Sequence, residues 1–195
     1  MKNKNYSLPF KRKVHGRTNY RKRLKLLLGD KPRLVIRKSS KSIEASLVRY
    51  GAKGDIIVAD ARSSILNKFG WHVDGGNMPS AYLVGYLIGK KAKEKGIDYA
   101  VPDIGLNASI KGSRIYALIS GALDAGLNLP QDKEMLPIKD RLNGTHIAKY
   151  AELIKKNKSL FEKQFSGYIK RNLDPCDIAK HFDDIKNRIL AQNEK

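Results

Sequence analysis

The chain has 195 residues, 41% of them hydrophobic, with a formal charge of +20 at pH 7. That length suits one ordinary domain with an appendage, and that apolar content excludes a wholly disordered basic protein. The charge calls for a polyanion or an anionic membrane surface as partner, and the single cysteine, Cys176, excludes an internal disulfide and suits a reducing compartment.

Residues 1–16 are polar, basic and interrupted by Pro9 and Gly16, the pattern of an arm that stays disordered until its charge is neutralised. Residues 18–28 are good helix formers, with Tyr20, Leu24, Leu27 and Leu28 at helical spacing and Gly29 as the stop. Strands follow at 33–39, 43–50 and 55–61, joined by turns at Ser40-Lys41 and Gly51–Gly54, which makes an antiparallel meander. Ser63 to Phe69 suits a short helix. Asn77 and Pro79 open a long one, running to about Lys95 and ended by Gly96. Ala81, Gly85 and Gly89, four apart, form a small-residue row suited to close approach of that helix to a sheet. A fourth strand spans 98–104, with Pro102 marking an edge. A second core helix covers 113–125 and stops at Gly126. A meander followed by helix, strand and helix is a mixed-sheet α/β domain.

Beyond Pro130 strand signals cease. Thr145 is placed to cap a helix over 146–156, and Asp174-Pro175 with Asp177 starts a last one. There Ile178, Phe182, Ile185 and Ile189 mark a single face, packed on the body or on a partner. The longest apolar run, Tyr82 to Ile88, is far too short to span a bilayer, and the N-terminus lacks a signal-peptide core. A soluble intracellular protein without a membrane role is expected.

Charge is unevenly placed. Residues 1–41 hold 15 Lys/Arg against one Asp, residues 42–130 hold 10 against 8, and residues 131–195 hold 14 against 10. Lys and Arg release counterions when they meet phosphates, so Arg12, Lys13, Arg17, Arg21, Arg23 and Lys25 could each meet a phosphate, and Arg37, Lys38 and Lys41 around the first strand's end extend an imbalance that asks for a negatively charged partner. Tyr6, Phe10 and Tyr20 are interleaved with them. Aromatic faces stack on unpaired bases, while Tyr20 serves equally well packed on the core. Lys111-Gly112-Ser113-Arg114 opens a helix, where unpaired N–H groups favour an anion; Ser113 also suits ordinary capping, and the two roles are compatible. The lysines at 90–95 sit where a helix C-terminus favours cations anyway.

Other chemistries are poorly supported. Four scattered histidines and one cysteine lack metal-ligand spacing, so no metal or cofactor is expected. There is no Walker A sequence. Asp60 and Asp103 near strand ends raise a two-metal nuclease, yet the first strand offers Arg33, Arg37 and Lys38 where a third carboxylate is needed. A general nucleic-acid-compacting protein is the other alternative.

Several stretches together carry a resemblance: Tyr20-Arg-Lys-Arg-Leu-Lys-Leu-Leu-Leu, Lys31-Pro-Arg-Leu-Val-Ile-Arg-Lys-Ser39, Asp103-Ile-Gly-Leu, Lys111-Gly-Ser-Arg-Ile-Tyr-Ala and Gly121-Ala-Leu-Asp-Ala-Gly126. Their order and spacing resemble the 5S-rRNA-binding large-subunit ribosomal protein eighteen family in its archaeal form, whose eukaryotic counterpart is large-subunit ribosomal protein five. Gln164-Phe-Ser-Gly-Tyr-Ile-Lys170 and Asp174-Pro175 resemble the helical extension of the archaeal and eukaryotic branch. The resemblance implies a three-layer α/β core of the ribonuclease-H-like type, non-catalytic, with a basic N-terminal arm and a helical C-terminal extension. The boundaries expected are arm and short helix at 1–30, rRNA-binding core at 31–130 and extension at 131–195. It further implies a structural role in the 50S subunit of the cytoplasmic ribosome. There the protein binds 5S rRNA and mediates its attachment to 23S rRNA in the central protuberance, beside the other 5S-binding protein (large-subunit protein five in bacterial naming). The positions carried over as rRNA contacts are Arg17, Tyr20, Arg21, Arg23, Arg37, Lys38, Lys41, Lys111, Ser113 and Arg114.

Overall fold

The computed structural model describes residues 7–191. Tyr6, a candidate for base stacking, lies outside them. The described part of the arm is structured rather than extended and free. Lys11–Val14 closes one helical turn, α1, that buries nothing. The Phe10 and Tyr20 rings pack 4.9 Å apart, and Arg12 Nε donates to Thr18 Oγ1 at 2.9 Å. Both contacts fold the arm back on the start of α2 (Tyr20–Leu27), where Asn19 Oδ1 accepts from the Lys22 N–H.

The apolar stripe of α2 is buried only in part: Tyr20 and Leu27 turn inward, but Leu24 and Leu28 do not. Leu24 is 59% exposed and Leu28 77% exposed, while Lys22, Arg23, Leu26 and Leu27 are half-buried. Polar ties explain the difference: Arg23 reaches Asp55 and Lys22 reaches the Gly105 carbonyl, so charged side chains help set the face. The helix also ends differently. Asp30, not Gly29, takes the left-handed turn, at φ 45°, with its N–H on the Leu27 carbonyl.

β1 (Arg33–Lys38), β2 (Ile43–Arg49) and β3 (Ile56–Arg62) form the expected meander, and β4 (Val101–Asp103) pairs parallel to β1, giving the order β3-β2-β1-β4. β4 is shorter than predicted because Tyr99 and Ala100 turn away to Asn128, and Pro102 sits on the edge strand where a missing N–H is tolerated. Strand alternation sends Leu34, Ile36, Ala45, Leu47, Ala59 and Ala61 to one buried face. Arg33, Val35 and Arg37 therefore point to the other.

A 3-10 segment, Ser63–Phe69, leads to α3 (Met78–Glu94), capped by Asn77 Oδ1 on the Ser80 N–H at 2.8 Å. α4 (Arg114–Asp124) stops before Gly126, at φ 92°. The small-residue row of α3 faces α4, not the sheet. A side chain at Gly85 would run into the Leu118 carbonyl, one at Gly89 into Ala122 and Ala125, and one at Gly121 into the Tyr82 carbonyl. Backbone meets backbone across this pair, which is why glycine stands mid-helix despite a propensity cost of about 1 kcal/mol each. Helices lie on both sides of the sheet, completing the three-layer α/β arrangement expected from the sequence.

The C-terminal third contributes a 3-10 turn at Lys133–Met135, then α5 (Lys139–Leu142), α6 (Thr145–Ile154), α7 (Lys158–Gln164) and α8 (Ser166–Ile169). Thr145 is the first residue of α6 rather than its cap. Gly144 holds the cap position at φ 86°, and Asn143 Oδ1 accepts from the Thr145 N–H and hydroxyl. Asp174 Oδ1 caps a 3-10 turn at Pro175–Asp177 that runs into α9 (Ile178–Ala191). Ile178, Phe182, Ile185 and Ile189 are all buried against the body. Phe182 lies 5.3 Å from the Tyr82 ring. Lys186 Nζ donates to the Tyr82 hydroxyl at 2.9 Å, and that hydroxyl donates to Asp124 at 2.6 Å. Among the described residues no helix is long and apolar enough to cross a membrane.

Candidate nucleic-acid interface

The site begins with an arginine that strand alternation places on the sheet's polar face. Arg33 is only 1% exposed, and a buried guanidinium needs carboxylates. It has two. Its Nη2 lies 2.8 Å from Asp55 and its Nη1 3.2 Å from Asp103. Each aspartate in turn meets a more exposed arginine. Arg23 Nη2 donates to both Asp55 carboxylate oxygens, at 2.9 and 3.0 Å. Arg37 lies 3.8 Å from Asp103 and donates to the Asp103 and Ile36 carbonyls. Five charges thus alternate from α2 through the sheet to the end of β1. Burial alone would push the Asp55 carboxyl up, but hydrogen bonds and charge from Arg33 and Arg23 outweigh it and hold the group below its ordinary value.

Beside this chain of ion pairs lies a groove of about 620 Å³ between the arm, α2 and the loop after β4. Arg12, Arg17, Tyr20, Arg23 and Arg37 all line it, so the fold brings together five of the positions singled out from sequence. Lys22 Nζ fixes the far wall through the Gly105 carbonyl at 3.2 Å. Tyr20 is half-buried against Phe10 and still borders the groove, so packing and a ligand-facing edge coexist. Lys13, Arg21 and Lys25 are exposed outside the groove lining.

A second cluster forms at the β1–β2 turn. Arg114 Nη1 donates to the carbonyls of Gly76 at 2.5 Å, Ser39 at 3.2 Å and Ser40 at 3.5 Å. The start of α4 is thereby fastened to the hairpin that carries exposed Lys38 and Lys41, with Lys111 exposed just upstream. Arg114 is an internal clasp in this structure. Ser113 stands at the cap position of α4, but its hydroxyl caps nothing: Oγ is buried without a partner.

The nuclease alternative meets a geometric obstacle. Asp60 lies on β3 and Asp103 on β4, the two opposite edges of the sheet. With strands about 4.8 Å apart, that separates them by roughly 14 Å. Two metal ions in one centre sit about 4 Å apart. Asp103 is moreover committed to Arg33 and to the Gly105 N–H at 2.9 Å. The organising residues Arg33, Asp55 and Lys22 were not foreseen as parts of the site. Their partners lie 22 to 83 positions away in the chain, and no local pattern announces such pairing.

Fold and site together define a basic α/β protein that presents cations held in fixed positions on a neutralised interior. Residues 4–100 match the family described as ribosomal large subunit proteins 60S L5 and 50S L18, and the chain belongs to that family. It is a structural protein of the large ribosomal subunit, in a class without enzymatic activity, and its partners are the ribosome and its RNA. Family membership places it in cytoplasmic ribosomes.

Proposed function

We propose that this chain binds 5S rRNA and mediates its attachment to 23S rRNA in the central protuberance of the large subunit, next to the other 5S-binding ribosomal protein. The observation that carries the reading is the groove where Arg12, Arg17, Tyr20, Arg23 and Arg37 converge from three separate elements. Cations on one rigid frame match the phosphates of folded RNA, and Tyr20 offers an aromatic edge to an unpaired base. The hairpin cations Lys38 and Lys41, with Lys111, form a second grip on the same molecule. Lys13 on α1 and Arg21 and Lys25 on α2, all exposed, are further contacts. The protein acts by binding alone and catalyses nothing. Its arm, core and extension, at 1–30, 31–130 and 131–195, divide that work.

Gel-shift competition among 5S rRNA, transfer RNA and duplex DNA at near-physiological salt tests the reading. Selective retention of 5S rRNA is expected. Equal binding to all three would assign a general compacting role instead. Replacing Arg17 and Arg21 together by alanine is expected to reduce the slope of log affinity against log salt by about one to two, the mark of one or two lost phosphate contacts.

A further inference from the structure

A second polar cleft, of about 540 Å³, lies on a different part of the surface. Its lining combines Lys41 from the β1–β2 turn, Ser64 and Asn67 from the 3-10 segment, His72 and Asp74 from the loop before α3, and Arg171 from the C-terminal third. Only the last of these lies outside the family match at residues 4–100.

The walls are held by specific bonds. Arg171 Nη1 donates to the His72 carbonyl at 2.9 Å, and Arg188 of α9 donates to the Phe69 carbonyl at 2.9 Å. The extension therefore holds the first half of the loop that forms one wall. On the opposite wall Ser63 Oγ accepts from the Ile43 N–H at 3.4 Å, seating the 3-10 segment against the hairpin. The Arg114 clasp fixes the hairpin tip to Gly76. Gly75 and Gly76 leave no room for side chains between these walls: a Cβ at Gly75 would meet Ser63 and one at Gly76 the Ser40 carbonyl.

The lining chemistry is mixed in a particular way. Lys41 and Arg171 supply two cations for a phosphate, and one of the five Arg171 donors goes to His72. Asp74 adds a carboxylate in the same cleft, which opposes a bare polyphosphate but accepts from a base amino group. Asn67 and Ser64 offer donors and acceptors suited to a base edge or a 2′-hydroxyl, and the His72 ring offers a stacking face. The volume falls in the range of small-ligand sites. We infer that this cleft receives one unpaired nucleotide of ribosomal RNA, with Arg171 lending the C-terminal extension to RNA recognition. The inference rests on the proposed rRNA binding and adds a site to it.

The test uses the full chain with 5S rRNA and with 23S rRNA fragments of the central protuberance. Thermal unfolding first establishes that Arg171→Ala and Asn67→Ala remain folded. Arg171→Ala is expected to weaken one of these RNAs about tenfold and to lower its salt slope by about 0.7 to 0.9, one phosphate. Asn67→Ala is expected to weaken the same RNA with an unchanged salt slope, as loss of a base or sugar contact requires. Ultraviolet crosslinking of the wild-type complex, read by mass spectrometry, is expected to place a nucleotide on the peptide containing His72. Wild-type affinity in both variants, with no crosslink on the peptides containing Asn67, His72 or Arg171, overturns the cleft while leaving rRNA binding intact. Failure of the wild-type chain to bind either RNA overturns the underlying reading as well.

Discussion

At the residue scale, Arg33 explains why a chain so rich in cations buries one. A guanidinium with a carboxylate on each side is cheaper to bury than one left alone, and removing one partner strands a charge. Asp55→Asn is therefore expected to destabilise the fold by about 1.5–3 kcal/mol near neutral pH, measured by urea unfolding. The pH dependence has a definite sign. The folded-state value of Asp55 is depressed below its ordinary 3.8, so its contribution is present above that pH and is lost as pH falls through the lower folded value. The gap between wild type and Asp55→Asn is expected to close in that acid range and to stay constant between neutral pH and pH 5 or so, where Asp55 remains ionised. A gap that persists unchanged in acid would contradict the ion-pair account. The exposed cations at Lys38, Lys41 and Lys111 were legible in the sequence because a one-sided charge run has few structural uses. The Arg23 to Arg37 network was not, since strand pairing joins residues that composition cannot connect.

At the element scale, the three meander strands were legible because short turns and an apolar alternation coincide. The long helix was equally plain, with Asn77 and Pro79 at its start. What sequence could not supply was the partner of each face. The Ala81, Gly85 and Gly89 row announced a close approach but not that α4, rather than the sheet, would make it. The leucines of α2 announced an amphipathic helix whose polar anchors then turned Leu24 and Leu28 outward. Helix pairing of this kind is tested by Gly85→Ala. Propensity favours alanine by about 1 kcal/mol, but the Leu118 carbonyl occupies its space, and overpacking of about 1–3 kcal/mol works against it. Net destabilisation is expected in thermal unfolding. Gly167→Ala, where nothing lies within 4 Å, is the matched control and is expected to be neutral or slightly stabilising.

At the scale of the whole molecule, the basic arm and the C-terminal extension relate to the core in opposite ways. α1 buries nothing, so deleting residues 1–16 is expected to leave the thermal midpoint within a few degrees while lowering RNA affinity. A lost unfolding transition would show that the arm is part of the fold. The extension is packed in: Phe182→Ala, which empties a site beside Tyr82, is expected to cost about 3–5 kcal/mol in chemical unfolding. Sequence marked the stripe on α9 but left its destination open, because the same apolar face serves a neighbouring chain or the parent body. The clasp at Arg114 bears on the mechanics of the assembled particle. One guanidinium ties the hairpin tip to the backbone that launches α3 and to α4, so the strand pair cannot hinge alone. Were RNA bound at Lys38 or Lys41, as proposed, its pull would be shared by both core helices, and the hairpin would act as a stiff bracket rather than a flexible finger.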